Sequence, residues 1–121
     1  MRSPHSFTFI SRSAPYGSNR AQLCLDMALA AGIFEQKINY VFMDDGVFQL
    51  LKYQDGSMIN SKTIGNALET LELYGIQNIY ACSTAMKQRH LAIDDLVCDT
   101  RIISNENLKS ILNDSDIIIN L

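Results

Sequence analysis

Apolar positions along the chain switch repeatedly between a strand-like run and a helical spacing. Residues 6–11, 38–43, 77–82 and 116–121 are short apolar runs of strand length, and a further strand lies within residues 96–103. Between them the spacing is helical. Ala21, Leu25, Ala28 and Leu29 form one face, with Asn19 as a cap, Gln22 in the capping-box position and Gly32 as the stop. Cys24 beside that face reads as a small buried hydrophobe. Ile64, Ala67, Leu68, Leu71 and Tyr74 form a second face closed by Gly75. A short helix is expected over residues 84–89. A last one starts at Ser104 and turns Leu108, Ile111 and Leu112 inward. Residues 12–17, Asp44-Asp45-Gly46 and Asp55-Gly56 read as loops and turns, and residues 47–51 as an apolar segment of no assigned type.

Strands alternating with helices imply a three-layer α/β/α fold around a mainly parallel five-stranded sheet, in one domain spanning residues 1–121. In such a sheet, ligands and chemistry gather beyond the carboxyl ends of the strands. The loops at residues 12–18, 44–47 and 82–85 are expected to meet there.

Composition narrows the class. Only 19% of the 121 residues are charged, which is low for a soluble domain and fits either chance variation in a short chain or a surface partly covered by other chains. The net charge of −3 disfavours direct grasp of nucleic acid, since phosphate neutralisation supplies most of that affinity. The three cysteines, Cys24, Cys82 and Cys98, form no C-x-x-C pair, and there are two histidines. Neither a zinc site nor a disulfide framework is expected, and the usage suits a reducing cytoplasm. The apolar run at residues 7–10 is too short for a signal-peptide core or a membrane span, so no membrane association is expected.

Cys82 is the sole candidate for catalytic chemistry. It ends a strand and precedes a helix start, where backbone N–H groups favour a thiolate, and Lys87, Arg89 and His90 follow closely. A thiolate there has the chemistry to attack a sulfane sulfur and hold it as a persulfide. The alternative is a small buried residue at a strand end. Asp44-Asp45-Gly46 offers paired carboxylates, but no histidine motif supports a metal, and an ordinary turn with Gly46 at positive φ is the expectation. The loop from Ser13 to Ser18 opens a helix without matching a phosphate-binding glycine motif. No cofactor is expected. Val47, Phe48, Leu50 and Leu51 either pack on the core or form an interface patch; the interface is favoured.

Ser13-Ala14-Pro15-Tyr16-Gly17, the run Asp45-Gly46-Val47-Phe48-Gln49-Leu50-Leu51, and Ile79-Tyr80-Ala81-Cys82 followed by Arg89 resemble the DsrE/DsrF-like sulfur-relay family. The resemblance is to its DsrF-type, TusC-like branch and spans residues 7–121. It implies a subunit that joins TusB-like and TusD-like sister chains in a dimer of heterotrimers. That assembly passes persulfide sulfur to a TusE-like acceptor, toward 2-thiolation of wobble uridine in tRNA. DsrF-type relatives serve sulfur oxidation instead. The family's persulfide cysteine belongs to the TusD-like sister, at the strand end that Cys82 matches. That sister often continues to Arg-Gly, whereas here His90 follows Arg89. The resemblance therefore implies an accessory subunit without catalysis of its own. Sulfur carriage by Cys82 itself is the second reading, and an unrelated flavodoxin-like anion-binding module the third.

Overall fold

The computed structural model describes residues 6–14, 17–33, 37–51, 68, 71–76, 78–96 and 99–121. Among these residues five strands form one parallel sheet: β1 (Ser6–Ser11), β2 (Lys37–Phe42), β3 (Asn78–Cys82), β4 (Arg101–Ile103) and β5 (Ile117–Asn120). Their spatial order is β4-β3-β2-β1-β5. Helix α1 (Arg20–Ile33) follows β1, α2 (Ser83–Gln88) follows β3, and α3 (Asn105–Asp114) follows β4.

That order dictates the layers. From β1 to β4 each new strand adds on the same side, so right-handed crossovers put their helices on one face. The step from β4 back to β5, beside β1, runs the other way and must cross the opposite face. The packing agrees. Cys24, Leu25 and Ala28 of α1 share a buried cluster with Ala85 and Met86 of α2, whereas Leu108 of α3 packs with Val41 and Ile103 across the sheet.

Within the central strands alternate residues divide between the layers. Ile38, Tyr40 and Phe42 face α1, and Val41 faces α3. The register places Phe9 beside Tyr40. Rings of Phe7, Phe9, Tyr40 and Phe42 then form a continuous row, with centroids 6.2, 6.3 and 4.9 Å apart. Helix α1 buries Ala21, Cys24, Leu25 and Ala28 and leaves Leu23, Met27 and Ile33 exposed on its outer side.

Several local expectations change. Gly32 does not end α1, which runs on to Ile33. A Cβ at Gly32 would lie 3.0 Å from the Tyr74 carbonyl oxygen, so the glycine admits a close approach of the 3₁₀ turn Leu71–Tyr74. Gln22 donates to Asp26 at 2.9 Å instead of closing a capping box, and Arg20 N–H donates to Ser18 Oγ. Ser104 does cap α3, accepting from Asn107 N–H at 3.2 Å. Gly75 sits at φ +82, and Ile76 N–H reaches back to the Leu71 carbonyl at 3.1 Å, as in a glycine-terminated helical turn. Most of the helix expected over residues 64–75, the Asp55-Gly56 turn, Pro15, Tyr16, Gln77 and Cys98 lie outside the described residues.

Candidate functional site at the carboxyl edge of the sheet

The segments after β1, β2, β3 and β4 meet at one edge of the sheet. After β2 the chain turns into a 3₁₀ helix, Asp44–Leu50, which is the segment of no assigned type. Met43 N–H donates to the Ser11 carbonyl at 3.0 Å, and Gly46 N–H donates to the Met43 carbonyl at 2.8 Å. Buried Gln49 donates to Ser11 Oγ and to the Ser13 carbonyl, both at 2.8 Å. Ser13 Oγ in turn donates to the Leu121 carbonyl at 3.1 Å. One amide side chain thus fastens the 3₁₀ segment to the loop that leaves β1.

The paired carboxylates point to different partners. Asp44 accepts from Arg12 Nε at 3.0 Å, and Asp45 accepts from Arg89 Nε and Nη2 at 3.2 and 3.0 Å. The Arg89 guanidinium also lies 5.8 Å from the Phe48 ring centroid and donates to the Ala85 carbonyl. Exposed pairs of this kind contribute little energy each, about 0–1 kcal/mol. Their effect is positional, joining the β1, β2 and β3 loops as expected. The positive φ of this turn falls on Asp44 (φ 51), not on Gly46. Gly46 is there for space: a Cβ would stand 2.0 Å from the Ser11 carbonyl oxygen. Among the described residues no group of three His, Cys, Asp or Glu side chains is placed to hold a metal.

Cys82 ends β3 and directly precedes α2, as the spacing predicts. It is 5% exposed, and its thiol donates to Asn105 Oδ1 of α3 at 3.5 Å. Among the described residues, the basic side chains expected around it make no hydrogen bond to the sulfur. Arg89 is held by Asp45, while Lys87 and His90 are exposed. Helix α2 has six residues and ends in a turn where Leu91 N–H reaches the Met86 carbonyl at 3.0 Å and His90 takes φ 55. That left-handed position suits glycine, and a side chain there costs about 1 kcal/mol. His90→Gly should therefore stabilise the chain by about 0.5–1 kcal/mol, read as a higher urea midpoint at unchanged slope.

The four apolar residues Val47, Phe48, Leu50 and Leu51 separate. Val47 and Leu50 are fully buried in the chain's own core, so they supply no surface, and only half-buried Phe48 and Leu51 remain open to a partner. The reason is the turn itself: a 3₁₀ segment places residues three apart on one side, and Gly46 brings that side against β1. Neither Gln49 nor Asn105 stands out in the sequence as a site residue. A lone amide inside the apolar run Val47–Leu51 is the signal for the first. For the second it is a polar residue just beyond a strand's carboxyl end.

Deeper in the α1 layer, Cys24 and Tyr40 are both fully buried. Among the described residues the Tyr40 hydroxyl closes no hydrogen bond of ordinary geometry, although Cys24 and Ser11 influence it. Burial pushes both the Tyr40 phenol and the Cys24 thiol up from their ordinary values, so both are neutral packing groups at neutral pH.

Comparison with known proteins places the chain in a family. The DsrE/DsrF-like family profile matches residues 5–121. A Vibrio parahaemolyticus protein named Protein TusC homolog is 40% identical over 102 residues, covering 84% of this chain and 86% of that protein. The intracellular sulfur oxidation protein DsrF of Allochromatium vinosum is 36% identical over 91 residues, covering 75% of this chain and 67% of its own length. In three dimensions the crystal structure of the ychN protein from E. coli superposes with a TM-score of 0.81 at 21% identity, covering 97% of this chain and 99% of that one, which establishes the shared fold. The chain belongs to the DsrE/DsrF-like family.

Proposed function

We propose that this chain is the TusC-type accessory subunit of a sulfur-relay assembly that passes persulfide sulfur toward 2-thiolation of wobble uridine in tRNA. The observation that carries the reading is the 40% identity to a Protein TusC homolog across most of both chains. In this reading TusB-like and TusD-like sisters complete a dimer of heterotrimers in the cytoplasm, a TusE-like protein accepts the sulfur, and Cys82 carries none. The buried thiol supports that division of labour, because transfer between thiols needs an accessible thiolate. So do the exposed apolar side chains of Leu23, Met27, Ile33 and Leu73, which suit a chain surrounded by partners. Phe48 and Leu51 are the proposed contacts at the carboxyl edge.

The test is to load the assembled complex from a protein persulfide donor and map modified cysteines by mass spectrometry. Label is expected on the sister chain and not on Cys82, with tRNA thiolation retained in Cys82→Ser. Persulfide on Cys82, lost together with thiolation in that variant, would overturn the accessory reading. The likeness to DsrF favours a second pathway, a sulfur-oxidation relay built from the same parts. Unchanged tRNA thiolation in cells lacking this chain would select it.

A further inference from the structure

Cys82 stands at an edge where four loop segments meet, yet it is almost wholly covered. Its β4 register partner is Ile103, and two residues beyond that partner comes Asn105, whose carboxamide oxygen accepts the thiol hydrogen bond. Asn105 is itself exposed and is the first residue of α3, whose start is held by the Ser104 cap. Thiol exchange begins with a thiolate approaching another sulfur. Here the thiol proton is engaged by a neutral acceptor, and Arg89, which follows Cys82 in the chain, is bound to Asp45. We infer that the Asn105 side chain is a cover that holds Cys82 back from sulfur exchange. Asn105 is thus a positioning residue, and the identity of one surface side chain sets the access to a strand-end thiol. The inference rests on the accessory reading and supplies its physical cause.

Alkylation of the purified full chain tests it without sister chains or a sulfur donor, so the relay reading can fail while this one stands, and the reverse. N-ethylmaleimide is applied in short pulses, and each cysteine is read separately by peptide mass spectrometry. Cys24, fully buried, reports any general loosening of the fold. Cys82 of the wild type should react slowly. Asn105→Ala should accelerate it about fivefold, the factor set by one hydrogen bond of ordinary net strength, with Cys24 unchanged. Asn105→Asp keeps the size of the cover and adds a negative charge favourable at a helix start, so it should label no faster than wild type. Wild-type labelling at the rate of the unfolded chain, an Ala variant at the wild-type rate, or an Asp variant as fast as Ala would each overturn the proposal. Should Cys24 accelerate in the Ala variant, Asn105→Ser replaces it as the uncovered form. Wild-type labelling of Cys82 in that variant then overturns the proposal too.

Discussion

Gly46→Ala should destabilise the chain by about 3 kcal/mol, the upper part of the range for overpacking a close contact. The added methyl carbon would stand 2.0 Å from the Ser11 carbonyl oxygen, 2.8 Å from the Ser11 carbonyl carbon and 3.3 Å from Arg12 Cα. All three are backbone atoms at the end of β1, so no side chain can swing aside. Relief requires the 3₁₀ segment to lift from β1, which would stretch the 3.0 Å bond from Met43 N–H to the Ser11 carbonyl and the two bonds from Gln49. Val47 and Leu50 would leave the core with it. A loss of that size lowers the melting temperature by roughly 10 °C for a domain of this length. Gly75→Ala is the control. Gly75 has φ +82 with nothing within 4 Å of a Cβ, so only its backbone conformation resists, at about 1 kcal/mol. Thermal melts of both variants decide the matter: equal losses would mean that the contact at Gly46 is not what holds the segment down.

The contrast between these glycines marks what a sequence can show. The parallel sheet was legible because β1, β2 and β3 are apolar runs of strand length and helical spacing returns between them. Cys82 was placed correctly at the end of β3, since an apolar strand followed by Ser83 and Thr84 leaves little other choice. In the sequence Gly46 reads as a turn glycine, because sequence distinguishes a glycine needed for φ from one needed for space only when the neighbour across the gap is known. That neighbour, Ser11, lies 35 positions earlier. The same limit applies to Arg89. Its closeness in sequence to Cys82 suggested a cation beside the sulfur, whereas the fold brings Asp45 and Phe48 to it from the end of β2. Asn105 is not legible for a related reason: its contact with Cys82 spans 23 positions and depends on the register of β3 with β4.

Phe48→Asp should dissolve the assembly while leaving the separate chain folded. Phe48 is half-buried in the chain alone, stacked under the Arg89 guanidinium at 5.8 Å, whereas its neighbours Val47 and Leu50 are fully inside. Loss of its partial packing is the smaller effect, because a side chain already part-exposed surrenders only part of its burial energy. The new carboxylate would also stand near a cation that already accommodates Asp45, which softens its cost within the chain. At a contact with a sister chain nothing offsets it. An aromatic anchor at the centre of an interface is worth about 2 kcal/mol or more, and a desolvated charge in its place adds to the loss. The expected result is at least a thirtyfold weaker association, seen on size exclusion as this chain eluting apart from its sisters, with an unchanged far-ultraviolet dichroism spectrum. Val47→Asp should behave differently, unfolding the chain itself, because that side chain has no exposed surface to begin with. If Phe48→Asp co-elutes with the sister chains as the wild type does, Phe48 is not an anchor of the contact surface, and the other exposed apolar side chains, among them Leu23, Met27 and Ile33 of α1 and Leu73, are the next to test.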